Sequence, residues 1–555
     1  MPESEGQCEV CKAVCTQKCS QCKSVYYCCS EHQRENWKDH KADCFPYEVS
    51  SSQQLGRFLV ANRDLRPGDA ILVDTPLVFG PKPYKTDEGP FSCVGCSKIL
   101  PVITHLCPQC GWPACGAECD GLTSPQIHGL ECQILKLRPR RPDESEHQYF
   151  RFDILIVLRA LFLQKTNKKK WEMLLNLEDH LDDRGPESRV FKAVREKVSY
   201  IHDNYIVPLK EYESQSGGSI LPHVSTDIMH KIYATLDVNA TEITDLFDAF
   251  VLYPTASLLE HDCTPNTCQN INEKDGFKIT FRAALPIMKG EHITTTYTNI
   301  LWGTQERRKH LKETKYFTCS CKRCADPTEF ETYFSALICL GTEDDPCKGI
   351  QLPTNPLDAN TFWICNKCGI KLPNKEIGDF VEHLSKEVSK ETEKKPNMEE
   401  LEEFLGKLEV FLHPNHHLVY SIKHILVQSY RIEDEIEISN KFLDEKLKLC
   451  QELIDTTRKI DPGNARLALY LAVLLNEQFL ARFKLLSRSF NSEDKNSCSA
   501  EIEEVLTTVA DAKESLKYER QSETGGKLLQ AVEANEMRFK KWLEGNLSAP
   551  TELIE

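Results

Sequence analysis

Val251-Leu-Tyr-Pro-Thr-Ala-Ser-Leu-Leu-Glu-His-Asp-Cys-Thr-Pro-Asn266 opens a stretch that continues through Gly290-Glu-His-Ile-Thr-Thr-Thr-Tyr297 and closes on Cys319-x-Cys321-x2-Cys324. The apolar start turns into a short polar loop carrying His261, Cys263, Pro265 and Asn266. The second part reads as a strand ending in a tyrosine, and the third is a cysteine triad at zinc-ligand spacing. Taken singly, these parts describe a β-hairpin followed by a structural zinc knuckle. Their order within one short stretch is more specific than that.

A chain of 555 residues predicts several domains and ample core. There are 26 cysteines and no N-terminal apolar stretch to act as a secretory signal, so the Cys-x2-Cys pairs read as metal ligands in a reducing, intracellular compartment, cytoplasm or nucleus. No apolar run is long and charge-free enough to span a bilayer, and a soluble chain without membrane partners is expected. A net charge of −16 argues against a general phosphate-backbone binder, which needs clustered Lys and Arg. The local basic run Lys168–Lys170 reads as a solvated loop. Protein partners are therefore expected rather than nucleic acid.

Residues 8–44 contain Cys8-x2-Cys11, Cys19-x2-Cys22, Cys28-x3-His32 and His40-x3-Cys44, four ligand pairs that suit two tetrahedral zincs. The same grammar returns at Cys93-x2-Cys96, Cys107-x2-Cys110, Cys115-x3-Cys119 and His128-x3-Cys132, an internal repeat. A further set, Cys339, Cys347, Cys365 and Cys368, reads as one more zinc site. Cys15, Cys29, Cys268, Cys450 and Cys498 stay outside these sets, the first two as small apolar residues.

Between the fingers, Leu55–Ala61, Leu65-Arg-Pro-Gly-Asp69 and Ile71–Val78 read as short strands and tight turns. From Tyr149 to Ile243 the pattern is helical, and Phe152–Leu163 is apolar nearly all round, a buried helix. The remainder, from about 375 to 546, is helical too. Leu418, Ile422, Ile425 and Leu426 form a stripe that Ile502, Val505, Leu506 and Val509 repeat. Asn464 reads as the N-cap of a helix over Ala465–Phe483. The charged stretch 386–403 reads as a solvated linker or exposed helix face.

The stretch 251–324 resembles the C-terminal half of a SET domain with its post-SET segment, and Leu55–Val78 resembles the N-terminal half. Residues 8–44 resemble a MYND finger, including Tyr27-Cys28, Gln33, Trp37 and His40-x3-Cys44. The whole chain resembles the SET and MYND domain-containing proteins, more closely their arthropod-type branch. The resemblance implies an α+β multidomain fold. It has an N-terminal MYND finger (1–46), the first part of SET (47–92) and a second MYND-like finger (93–132). A helical SET insertion (133–245), the core SET (246–300), a post-SET zinc segment (301–330) and a cysteine-rich zinc segment (331–372) follow. An all-α, TPR-like domain (373–555) ends the chain.

The activity implied is that of a protein-lysine N-methyltransferase using S-adenosylmethionine, acting in gene regulation as a monomer. Tyr297 would be its catalytic residue, with Gly56, Arg57, Asn239, Glu260, His261, Tyr297 and Phe317 at the cofactor and Asn266 fixing the loop. By the same resemblance Cys8/Cys11 pair with Cys28/His32, Cys19/Cys22 with His40/Cys44, and Cys263 joins Cys319, Cys321 and Cys324, for about six zincs. Four residues depart from the family pattern. His32 replaces a cysteine, Phe58 the second glycine of a Gly-x-Gly turn, Glu260 an asparagine and Asp262 a serine. Phe58 is expected to narrow the cofactor cleft or to make the chain approach the cofactor differently. A carboxylate at 260 lacks an amide's donors and costs about 1–3 kcal/mol if buried unpaired. The alternative implied is a catalytically impaired scaffold whose MYND fingers bind Pro-containing peptides of partners such as transcriptional corepressors or histone deacetylases.

Overall fold

The computed structural model describes residues 5–19, 25–82, 90–221, 223–244, 246–394, 397–429, 439–490, 498–520 and 522–547. Its centre is a set of small sheets. Ala70–Asp74, Lys278–Ala283 and Thr267–Asn272 form one antiparallel sheet, and Val78–Pro81, Asp248–Leu252 and Thr241–Thr244 form another. Tyr47–Ser52 pairs with Gly56–Ala61, and the short Glu260–His261 runs parallel to Thr294–Thr295. The alternation in the sequence sets the faces. Along Lys278–Ala283, Ile279, Phe281 and Ala283 are buried, whereas Lys278, Thr280 and Arg282 are half-buried. With Leu59, Leu72, Val251 and Ile293 they make the central core.

Strands from residues 70–81 and 241–283 thus meet across a long insertion. Its first part is the finger Cys93–Cys132, and its second is helical. Phe152–Ile154 forms a 3-10 turn that leads into the helix Leu155–Thr166, and every residue from Phe152 to Leu163 is buried. This helix lies so close to Val78–Pro81 that a Cβ on Gly80 would stand 2.8 Å from the Ile156 Cβ, which only glycine avoids. Lys168–Lys170 is the first turn of the helix Lys168–Leu175, capped by Asn167, and not a loop; Lys170 donates to the Pro76 carbonyl at 2.6 Å. The basic run looked loop-like because the cap precedes it by one residue.

After the Cys319–Cys324 segment, Leu337–Ile338, Ile350–Pro353, Phe362–Cys365 and Lys371–Pro373 form a four-stranded antiparallel ribbon. The helices Asn374–Glu393, Met398–Glu409, His417–Ser429, Asn440–Ile460, Ala468–Ser489, Ser499–Ser515 and Glu523–Leu547 follow. Leu418, Ile422, Leu426, Val505 and Val509 are buried as the stripes require, with Ile425, Ile502 and Leu506 packed beside them. The charged stretch 386–403 spans the end of one helix and the start of the next. Among its described residues the charged side chains are exposed or half-buried, whereas Val388 and Leu401 are buried.

Asn464 is not an N-cap. It sits at φ 50° in a turn, the helix begins at Ala468, and the carboxylate of Asp461 accepts from the backbone of Ala465, Arg466 and Leu467 at 2.7–2.9 Å. The aspartate thus holds the turn that leads into the helix, and the asparagine, turned left-handed within it, does not reach the helix N-terminus. Among the described residues no helix is long and apolar enough to cross a membrane.

Candidate active site

Five ligand sets converge, each with its four donor atoms within 4.8 Å of one another. They are Cys8/Cys11/Cys28/His32, Cys93/Cys96/Cys115/Cys119, Cys107/Cys110/His128/Cys132, Cys263/Cys319/Cys321/Cys324 and Cys339/Cys347/Cys365/Cys368. Zn–S bonds of about 2.3 Å at tetrahedral angles put sulfurs about 3.8 Å apart. Cys93–Cys119 at 3.8 Å, Cys107–Cys132 at 3.7 Å and Cys347–Cys365 at 3.6 Å meet that edge length. The sets therefore fit zinc. In the remaining set, the thiols of Cys19 and Cys44 are 3.7 Å apart and His40 is buried, while Cys22 lies outside the described residues. Elemental analysis of the purified chain is expected to find six zincs, and three or fewer would overturn the assignment.

Two of these sites are wired into the core. His128 presents Nε2 to Cys107 and Cys110 and Nδ1 to Glu131 at 3.1 Å. Glu131, fully buried, is held by Arg159 of the Leu155–Thr166 helix at 2.7 and 3.0 Å. A carboxylate behind a ligating imidazole fixes its tautomer and orientation. At the other site Arg307 donates to the sulfurs of Cys263 and Cys324 at 3.3 and 3.6 Å, offsetting part of the charge of four thiolates. Arg307 and Arg323 both bond Glu329 at 2.9 Å, and all three side chains are buried.

Beside the Cys263 site opens a cleft of about 2160 Å³. Gly56, Arg57, Asn239, Glu260, His261, Tyr297 and Phe317 all line it, although they come from positions spread over much of the chain. Small-ligand sites run to about 300–1,000 Å³, so a cofactor alone would not fill this cleft. His261 accepts from the Tyr297 N–H through Nδ1 at 3.0 Å. Burial depresses its pKa to about 4, so the ring is neutral at pH 7 with its proton on Nε2, 3.3 Å from the Cys263 sulfur. The rings of Tyr297 and Phe317 lie 5.4 and 5.8 Å from it. The Tyr297 hydroxyl donates to the Leu259 carbonyl, and burial, with the Glu260 charge second, pushes its pKa up.

Asn266 accepts from the Thr294 N–H at 2.8 Å and donates to the His292 carbonyl at 2.8 Å, tying the loop to the neighbouring strand. Asn239 ends the helix Thr226–Asn239, and its amide donates to Glu178 and Thr235 at 2.7 and 2.8 Å. Gly56 adopts φ +66°, with no atom within 4 Å of where a Cβ would stand. Arg57 donates to the Asn176 carbonyl.

The departures have local partners. Phe58 does not narrow the cleft: it is buried and stacked on His292, with centroids 4.4 Å apart and planes 23° from parallel. The strand pleat turns its side chain to the core, opposite to Arg57. Glu260 is not unpaired, because one carboxylate oxygen lies 2.5 Å from His292 Nδ1. Asp262 closes its own turn by accepting from the Thr264 N–H at 2.7 Å. His292, Lys315 and Arg466 were missed in the sequence. Lys315 and Arg466 line the cleft, the second from the helical region, where it donates to Thr295 Oγ1. No periodicity or motif marks any of the three.

A model of the MYND finger matches residues 8–44 and a model of the SET domain matches residues 56–298. The chain is 29% identical over 343 residues to SET domain-containing protein SmydA-8, isoform A, of Drosophila melanogaster, covering 60% of this chain and 67% of that one. To histone-lysine N-methyltransferase ASHR1 of Arabidopsis thaliana it is 23% identical over 428 residues, 75% of this chain and 83% of that one. To mouse (Mus musculus) histone-lysine N-methyltransferase SMYD3 it is 28% identical over 284 residues, 50% and 61% of the two chains.

Proposed function

Because the chain belongs to the SET and MYND domain-containing proteins, we propose that it is a protein-lysine N-methyltransferase using S-adenosylmethionine. The observation that carries this reading is the convergence of Gly56, Asn239, Glu260, His261, Tyr297 and Phe317 on one cleft beside the Cys263 site. The donor set suits the cofactor: a glycine turn with open space above it, aromatic faces, and a carboxylate for a cation.

When bound, S-adenosylmethionine supplies an electrophilic methyl on sulfur. The chain's part is to align and desolvate the neutral lysine amine. Tyr297 keeps its hydroxyl fixed against the Leu259 carbonyl, leaving the oxygen's lone pairs to orient the amine. His261 holds the Tyr297 backbone, and Asn266 holds the loop that carries His261. Phe317 offers a flat face for the adenine. The space beyond the cofactor suits a peptide segment bearing the lysine, with Thr295, Gln269 and Arg466 on its walls.

The finer reading is an intracellular, monomeric regulator of gene expression whose C-terminal helices form a TPR-like domain. The first finger has its own small core of Cys8, Cys19, Tyr27 and Cys44, with Trp37 against it. None of its described residues lines the cleft, which favours a separate role in recruiting Pro-containing peptides of corepressors or histone deacetylases.

Calorimetric titration of S-adenosylmethionine into the zinc-loaded chain is the test, followed by transfer of labelled methyl to a lysine-bearing protein. Binding in the micromolar range, about −8 kcal/mol, is expected. A folded, zinc-loaded protein that binds none would leave only the peptide-binding scaffold.

A further inference from the structure

The two departures from the family pattern, Phe58 and Glu260, are far apart in sequence and meet on a single side chain. His292 stacks its ring on Phe58 and sets Nδ1 2.5 Å from Glu260. Its backbone is fixed from two sides, bridged to Val60 and accepting from the Asn266 amide at 2.8 Å. The imidazole is thus held in one orientation. Glu260 in turn is anchored by its strand pairing with Thr294 and uses only Oε2 on His292. Its Oε1 has no hydrogen-bond partner among the described residues, and Glu260 lines the cleft within the group formed by His261, Tyr297 and Phe317.

A carboxylate accepts and cannot donate, so a ligand group facing it must bring hydrogens, and a cation does so at lowest cost. An asparagine there could serve a neutral or mixed partner; glutamate selects a positive one. A glycine at position 58 would leave one face of the imidazole without its stacking partner.

We infer that Phe58, His292 and Glu260 are one matched unit in which Glu260 binds the α-ammonium of the methyl donor and His292, braced by Phe58, positions that carboxylate. The inference rests on the methyltransferase reading. Under it, the departures are compensated changes, and restoring asparagine at 260 alone would give His292 a shorter, neutral acceptor in place of the carboxylate it holds. His292 is a positioning residue, since it acts through Glu260.

The test is calorimetry on the full, zinc-loaded chain with three ligands: S-adenosylmethionine, S-adenosylhomocysteine, which keeps the ammonium but lacks the sulfonium, and 5′-methylthioadenosine, which lacks both. Glu260→Gln is expected to weaken the first two by about 10- to 100-fold and leave the third unchanged. His292→Ala should give a similar pattern, and the double variant should bind no worse than the weaker single one. His292→Asn, which keeps an N–H near the Nδ1 position, should recover most of the loss, and Phe58→Leu should give a partial one. A purely structural His292 would lower the melting temperature while leaving affinities alone, and that result overturns the inference. So do equal losses for all three ligands, a loss confined to S-adenosylmethionine, or additive single effects. Wild type failing to bind S-adenosylmethionine overturns the methyltransferase reading itself, and the inference with it.

Discussion

Tyr297→Phe is expected to lower methyl transfer by roughly 100-fold, the scale seen when one preorganised polar group is removed from a reacting centre. Cofactor affinity should stay within about twofold, because the backbone N–H that engages His261 survives the substitution. The hydroxyl also bonds the Leu259 carbonyl, so a stability loss of about 1 kcal/mol accompanies the change. Burial and the Glu260 charge both favour the protonated phenol, and the hydroxyl donates to Leu259 throughout the neutral range. Single-turnover transfer and calorimetry on the same preparation separate the two effects. A phenylalanine variant as fast as wild type would remove Tyr297 from the reaction.

Glu329→Gln should be among the most destabilising single changes in the protein. Glu329 is buried between Arg307 and Arg323, and the amide would leave two neighbouring guanidinium charges without the carboxylate they share, with only the thiolates of the Cys263 site near Arg307. Breaking such an arrangement costs about 3–5 kcal/mol. Burial by itself would raise the Glu329 pKa, but the two arginines outweigh it and hold the group at about 2. A carboxylate depressed in this way contributes stability in full above its unfolded pKa of about 4.3. That contribution fades as pH falls from there toward 2. Denaturant unfolding of wild type and variant across pH 3–7 should therefore converge on the acid side. Parallel curves would mean the charge is not what Glu329 supplies. Because Arg307 also touches Cys263 and Cys324, the variant is expected to release zinc from that site at lower chelator concentration.

The metal sets were legible because their spacing is local: two residues between thiols place both on one turn, whatever the rest of the chain does. The Leu155–Thr166 helix was legible for the converse reason, being apolar nearly all round up to Leu163. The cleft needed the family resemblance, since nothing in the sequence alone joins Gly56 to Tyr297. What stayed hidden depends on pairs distant in sequence and without periodicity. Phe58 looked like an obstruction because a residue's face on a strand is known only once the strand's partner is. Glu260 looked costly because His292, an ordinary member of a β-branched run, gives no sign of being its donor. Arg159 sat within an apolar helix as an apparent exception, and its partner Glu131 lies in the finger. Asn464 failed for a smaller reason: it lies in a left-handed turn whose N–H groups Asp461 binds, and the helix starts only at Ala468.

The sheet that joins Val78–Pro81 to Asp248–Leu252 also sets an order of events on the ribosome. At roughly 5–20 residues per second the second strand emerges many seconds after the first. Closing an unstructured loop of that length would cost on the order of 4–5 kcal/mol. A finger and helices already folded in between shorten that loop, and Arg159, bonded at once to Glu131, to the Phe79 carbonyl at 3.0 Å and to the Val94 carbonyl, draws the waiting strand onto them. Metal uptake by the nascent finger is then an early step of biogenesis. A zinc-starved cell would accumulate chains halted with an open strand edge, vulnerable to aggregation and proteolysis before the cleft has formed.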